Sequence, residues 1–173
     1  SEMFIRDSPS IGAVSNLAIT SITEGDRHAW QIRVDAGSVS APQPAALDRG
    51  TRVEIRQLFK AVPARLKFLK TERTEQGRCL DIMKRLAMAS PDVGFSLVAD
   101  GRTLLDLAPH RNDDQGAGRR LTDVIGLTFG GESLDMDARR DDITLQGRIG
   151  LPTMNRPTAA GIFLFVNGRP VQD

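Results

Sequence analysis

Apolar positions alternate with polar ones in some stretches of the chain and recur at helical spacing in others, and the two periods divide it into a first and a second part. From Leu17 to Thr23 the residues LAITSIT are rich in β-branched types. After the polar EGDR, Ala29 to Val34 places Trp30, Ile32 and Val34 at alternate positions. Successive side chains of a strand point to opposite faces, so the pattern predicts a β-hairpin with one apolar face. Thr51 to Ile55 alternates again and predicts a further strand, whereas Ser38 to Ala46, rich in Pro, Ala and Ser, is expected to be a loop.

Beyond Phe59 the period changes. Pro63 fits the first position of a helix, where a missing amide hydrogen is not needed, and Ala64 to Lys70 is expected to form a short basic helix. A longer helix follows, with Cys79 or Leu80, Met83, Leu86 and Ala87 at helical spacing, Lys84 and Arg85 on the other face, and Pro91 as its stop. Val93, Phe95 and Leu97 then alternate, Asp100 and Gly101 supply a type I′ turn, and Leu105 and Leu107 continue on the return strand. Asp113 to Gly118 reads as a polar loop, and Leu121, Val124 and Ile125 as a short helix ended by Gly126 or Gly130. Strands are expected at Ser133 to Ala138 and Ile143 to Ile149 around the turn ARRDD, and Ile162 to Val166 reads as a buried strand. The order helix, two strands, helix, strands predicts an α+β layer in the second part.

Composition narrows the class without naming a function. With 173 residues, 40% hydrophobic and 26% charged, the chain has the makeup of a globular protein of one large domain or two small lobes. Its longest apolar run, Ile162 to Val166, falls far short of the roughly 20 residues of a membrane helix. The start, SEMFIRDSPS, carries charges and no apolar core, so it is unlike a secretory signal and a cytoplasmic protein is expected. The single cysteine, Cys79, can form no intrachain disulfide and is expected to be buried in its helix. His28 and His110 stand far apart with no cysteine cluster near either, which argues against a His/Cys zinc site. A formal net charge of +1 gives no global basic field, so any nucleic-acid contact has to come from local patches.

Gly50 to Leu69 reads GTRVEIRQLFKAVPARLKFL and fits the pattern GTxVxVxxLFxNxPARxKFL at Gly50, Thr51, Val53, Ile55, Leu58, Phe59, Pro63, Ala64, Arg65, Lys67, Phe68 and Leu69. Ala61 stands where that pattern has asparagine. PSIGAVSNLAITS from Pro9, TEQGRCLDIMKRLAMASPDVGFSLVADGRTLLDL from Thr74, GRIGLP from Gly147 and the closing VNGRPVQD from Val166 extend the match in order along the chain. The chain thereby resembles the MutL family of DNA mismatch-repair proteins, within the ATPase superfamily of gyrase and the sensor histidine kinases. The resemblance implies an α+β fold: a β-rich remnant of that type of ATPase lobe over residues 1–62, then a truncated, ribosomal-protein-like transducer lobe over 63–173. The family's general-base glutamate, its magnesium-binding asparagine and a DxGxG stretch for adenine have no counterpart here, and the lysine of its HPxKxEVRF segment would lie beyond Asp173. EMFIRDS stands where the family lid motif reads GFRGEAL. The expectation is a fragment with no catalytic residues, no metal and no cofactor of its own, ATP and magnesium belonging to the full-length protein.

For single residues the resemblance implies roles that stand beside plainer ones. Gly50 leads by a tight turn into a strand on which Thr51 lies next to the nucleotide pocket, its hydroxyl supporting the adenine-recognising aspartate; the plainer reading is a β-favouring surface threonine. Arg65, Lys67 and Lys70, with Arg73, form a basic cluster at the hinge, a geometry that suits phosphate and equally a solvated helix face. Asn167 and Arg169, following a strand, are the DNA-binding candidates, and Gln172 stands where relatives often have another basic residue. The pairs Arg119–Arg120 and Arg139–Arg140 read as solubility features. Asp113–Asp114 and Asp141–Asp142, adjacent on loops, lack the convergent geometry of acid/base or metal chemistry. The implied partners are DNA, held weakly and without sequence preference, a mismatch-recognition protein and other repair factors, and a second copy of the full-length protein; no membrane is among them. The alternative is the transducer of a gyrase-type topoisomerase, on the same two-lobe plan, against which PARLKFL and VNGR favour MutL. The excess of arginine over lysine fits a GC-rich bacterial genome.

Overall fold

Strand β1 (Asn16–Ile22) runs antiparallel to β2 (Ala29–Asp35) on one side and to β5 (Gly50–Arg56) on the other in the computed structural model, which describes residues 8–154 and 161–171. Ile19 stands opposite Ile32 and Val53, and Leu17 opposite Val34 and Ile55. Cross-strand partners share a face, so the alternation read in the sequence gathers into one apolar surface. The helical residues 8–12 (α1) close on one end of it. A Cβ on Gly12 would lie 2.9 Å from Val34 Cγ1, so glycine is what lets the backbone come this near. Leu17 is buried there, while Trp30, Ile32, Val53 and Ile55 are exposed. The opposite face is polar: Gln31 Nε2 donates to Thr20 Oγ1 at 2.7 Å, and Arg33 Nε donates to Gln31 Oε1 at 2.7 Å.

The chain divides into two compact units between Lys70 and Thr71, eight residues beyond the Pro63 at which the sequence reading began the second lobe. Two expectations for the elements of the first unit are corrected. Part of the presumed loop Ser38 to Ala46 is strand, since β3 (Ser38–Val39) and β4 (Gln43–Ala45) both pair with β2. Strands of two and three residues leave no period to read, and an edge position tolerates the missing donor of Pro44. The basic helix is also shorter than expected: α2 (Pro63–Leu66) starts at Pro63 but ends after one turn. The amides of Phe68 and Leu69 bond back to the carbonyls of Arg65 and Leu66, three residues away, which tightens the chain out of the helix.

In the second unit, α3 (Glu72–Ala89) is capped by Thr71, whose side chain accepts from the Thr74 amide, and carries Glu72 and Glu75 in its first turn, where the helix dipole favours carboxylates. It packs on the hairpin of β6 (Phe95–Ala99) and β7 (Arg102–Leu107). Ala87, Leu105 and Leu107 form the centre of a core with Leu80, Met83, Phe95, Leu97 and Val124 around them. Asp100 and Gly101 make the expected turn, with φ of 49° and 73°. Cys79, expected inside, is exposed, as are Ile82 and Leu86, whereas Lys84 and Arg85 are half-buried. At about 100° per residue, Cys79, Ile82 and Leu86 share a flank turned away from Leu80 and Ala87. Counting Leu86 as core drew the buried face around the wrong side of the helix.

Helix α4 (Asp114–Ile125) begins about two turns before the first apolar residue of its pattern. Asp113 is its N-cap rather than loop, accepting from the Gly116 amide at 2.8 Å. A Cβ on Gly116 would fall 1.8 Å from the Arg111 carbonyl oxygen, so glycine is obligatory there; its low helix propensity is what hid the turn in the sequence. Gly126, at φ 119°, ends α4, and α5 (Leu127–Gly131) follows. The hairpin of β8 (Ser133–Arg140) and β9 (Ile143–Gly150) is longer than expected: Arg139 and Arg140 belong to β8, and the turn is Asp141 and Asp142, with Asp141 at φ 53°. After a 3-10 turn at Pro152–Met154 come β10 (Leu164–Val166) and β11 (Arg169–Val171). The apolar run Ile162 to Val166 was expected to be buried; Ile162 precedes the strand and is exposed, as are Leu164 and Val166. A run of apolar residues signals burial on both faces only where neighbours cover both, and β10 pairs with β11 alone among the described residues. The architecture is α+β and β-rich, and no helix among the described residues is long and apolar enough to cross a membrane.

Candidate functional site

The VNGR stretch forms a tight hairpin. Leu164 pairs with Val171, Phe165 with Pro170 and Val166 with Arg169, and the loop between the strands is Asn167 and Gly168 alone. Both have positive φ, 50° and 75°, which is the type I′ geometry that Asn-Gly favours. The turn leaves Asn167 and Arg169 exposed, one in the turn and one at the start of β11. Two donors at a tight turn, one of them a guanidinium, suit the oxygens of a phosphate backbone. Gln172 lies outside the described residues.

Gly50 opens β5 at φ 77°, and Thr51 follows it on the exposed edge strand, its Oγ1 2.8 Å from Ser21 Oγ on β1. That bond ties the hydroxyl to a neighbouring strand and fixes its orientation. Arg65, Lys67 and Lys70 come after the far end of the same strand. Arg65 is exposed, with its guanidinium carbon 5.9 Å from the centroid of the Phe59 ring; Lys67 is the C-cap of α2, and Lys70 ends the first unit. Phe59 itself is pinned by its amide, which donates to the Val14 carbonyl at 2.7 Å. The fourth member of the expected cluster, Arg73, stands in the first turns of α3 in the second unit. The sequence candidates thus fall in three places: the start of β5, the turn around α2, and the β10–β11 hairpin.

Sequence reasoning missed Arg120, which it set aside as a solubility feature. Arg120 is fully buried, and its Nη2 donates to the carbonyls of Pro91, Val93 and Ala108 at 2.9, 2.7 and 3.0 Å. An NH2 group carries two hydrogens, so the three carbonyls share them. The Phe95 ring lies beneath the guanidinium at 6.0 Å. A signal was present in the sequence, since Gly116, Arg120 and Val124 recur every fourth residue and therefore share the inward face of α4. Also unread was the contact of His110 Nε2 with Asp123 Oδ2 at 2.6 Å, which joins the segment after β7 to α4. Among the described residues no group of three His, Cys, Asp or Glu side chains could hold a metal. Asp113 is spent as a cap and Asp141 on a turn.

A profile of the family described as "DNA mismatch repair protein, C-terminal domain" matches residues 121–173. Among curated proteins, the DNA mismatch repair protein MutL of Paramagnetospirillum magneticum is 49% identical over 95% of this chain and 27% of its own length. That of Azorhizobium caulinodans is 47% identical over 95% of this chain and 26% of its own. The chain therefore spans about a quarter of the length of these relatives. Among solved structures, the Aquifex aeolicus MutL ATPase domain complexed with ADP matches with a TM-score of 0.79 and 28% identity, over 99% of this chain and 65% of that one. The ATPase domain of the bacterial mismatch repair endonuclease MutL of the same organism matches with a TM-score of 0.72 and 28% identity, over all of this chain and 64% of that one.

Proposed function

Since the chain belongs to the MutL family of DNA mismatch-repair proteins, whose sequence it follows over 95% of its length, we propose that it serves mismatch repair by coupling the nucleotide state of an ATPase lobe to contact with DNA and repair partners. The observation that supports this best is the unbroken order of the motifs, from the strand carrying Thr51, through the hinge residues Arg65, Lys67 and Lys70, to a hairpin that exposes Asn167 and Arg169. In this reading the first unit is the last part of the ATPase lobe and the second the beginning of the transducer. Thr51 braces the nucleotide-binding side through Ser21. Arg169 and Asn167 hold phosphate oxygens of DNA weakly and without regard to sequence. ATP and magnesium act in the full-length protein, where binding favours a dimer and shifts the transducer between orientations. The solved relative that holds ADP is consistent with nucleotide binding in the complete lobe. The chain by itself carries no general base, no magnesium-binding asparagine and no adenine-recognising aspartate, and it is not an ATPase. A mismatch-recognition protein and a second copy are the protein partners, and the cytoplasm is the place of action. Nothing in the comparisons supports the topoisomerase alternative.

The test replaces the matching segment of a full-length MutL with this chain, in cells that lack their own MutL. Repair, read as a low mutation rate, should be restored by the unaltered chain and lost in large part by Arg169→Glu. ATP hydrolysis by the purified Arg169→Glu chimera without DNA should stay unchanged, and the chain alone should show no turnover above a no-protein control. Full repair by the Arg169→Glu chimera would place the DNA contact elsewhere.

A further inference from the structure

The hairpin bearing Asn167 and Arg169 has strands of three residues each, and so short a pair is marginally stable by itself in water. A DNA contact made from it needs something that fixes its direction. The helix that packs against it is α3, which meets β11. The side-chain contact lies at Arg85 of α3, whose guanidinium carbon is 4.9 Å from the centroid of the Phe163 ring, the residue just before β10. This is inside the roughly 6 Å at which a cation and an aromatic face attract, and loss of water strengthens that attraction. Arg85 is half-buried, and its Nε is closed off from solvent without a hydrogen-bond partner among the described residues. The face of the Phe163 ring is the contact shown for that guanidinium among the described residues. The aliphatic stem of an arginine covers apolar surface while its planar head stacks, a geometry that lysine cannot reproduce.

From this we infer that Arg85 is the positioning residue of the β10–β11 hairpin: by stacking on Phe163 it sets the direction in which Asn167 and Arg169 meet phosphate. The DNA part of this inference rests on the function proposed above; the anchoring of the hairpin does not. Arg85 touches no DNA. It acts through the hairpin, and the other arginine over a ring, Arg120 over Phe95, has a different task because its Nη2 is committed to backbone carbonyls.

The experiment compares Arg85→Ala, Arg85→Lys and Phe163→Leu in the whole chain, reading amide hydrogen exchange peptide by peptide, thermal melting, and binding to a labelled duplex at several salt concentrations. The expected result for Arg85→Ala and Phe163→Leu is exchange at least about tenfold faster over residues 161–171, unchanged protection of β6–β7, and weaker DNA binding. Arg85→Lys, which keeps the charge, should behave like Arg85→Ala. Should Arg85→Ala fail to fold, Phe163→Leu decides alone, since it leaves α3 intact. Unchanged exchange in the hairpin, or protection lost equally from β6–β7, overturns the inference. A hairpin that loosens as expected in a chain whose Arg169→Glu variant binds DNA as the unaltered chain does would leave the anchor standing and overturn the DNA role given to both residues.

Discussion

Hairpin β6–β7 turns at Asp100 and Gly101, with φ of 49° and 73°, and hairpin β10–β11 turns at Asn167 and Gly168, with φ of 50° and 75°. The turns are chemically alike, and the surroundings are not. In β6–β7 the side chains of Leu105 and Leu107 are buried against Ala87 of α3, and Arg120 ties the approach to β6 and the exit of β7 to α4. In β10–β11 the half-buried residues are Phe165 and Pro170, the apolar Leu164 and Val166 are exposed, and the Arg85–Phe163 stack is a side-chain contact that joins its base to α3. The difference separates two uses of one motif. The first hairpin is scaffold, fixed by burial; the second presents two donors on a short stem that one stack can aim. Elements that make contacts are drawn from the less stable end of a structure, and the lightly held hairpin fits that place.

The largest effect that would break the contrast is removal of the arginine under the scaffold hairpin. Arg120→Ala takes away the donor shared by the carbonyls of Pro91, Val93 and Ala108 and empties the space over Phe95. Leaving a buried carbonyl without its donor costs about 1–3 kcal/mol, a noticeable share of the roughly 5–15 kcal/mol that holds a domain folded. Urea unfolding should show that loss in the second unit. A change under about 1 kcal/mol would mean that water replaces the guanidinium and that the carbonyls do not depend on it.

A smaller effect sharpens the contrast, because it applies the same change to both turns. Among the described residues nothing lies within 4 Å of where a Cβ would stand at Gly101 or Gly168, so alanine at either position meets backbone strain. Gly101→Ala should lower the stability of the second unit by about 1 kcal/mol, since its hairpin is part of the core. Gly168→Ala should leave the melting transition almost unmoved and show itself as faster amide exchange in β10–β11. Equal losses of global stability from the two variants would mean that both hairpins belong to one cooperative unit.

Where the sequence was legible, the information was local. Asn-Gly and Asp-Gly specify their turns in two residues, the alternation of Trp30, Ile32 and Val34 specifies a strand, and the strand from Gly50 to Arg56 is where its pattern placed it. The ends of the helices were less legible, because Asp113 and Gly116 favour both a loop and a helix start, and only the bond between them decides. Burial was read worst. Arg120 lies 29 residues from Pro91 and 12 from Ala108 along the chain, and no pattern around an Arg-Arg pair states that three distant carbonyls await it. Cys79 and Arg85 exchanged their expected places for the same reason: the period of α3 showed that one face is buried, and only its neighbours determine where that face is centred. Of the candidate site, the turn that exposes Asn167 and Arg169 could be read directly; the stack that supports it joins residues 85 and 163 and could not.

The most direct test of the DNA role assigned to the hairpin is the salt dependence of duplex binding by the unaltered chain and by Arg169→Glu. With a formal net charge of +1, binding should be detectable only at low salt. Each neutralised phosphate contributes about −0.9 to the slope of log affinity against log salt, so losing Arg169 should make the slope shallower by about one unit, with no change in sequence preference. Equal affinities and equal slopes, with both proteins folded, would show that Arg169 is a solvated arginine and that the hairpin does not contact DNA.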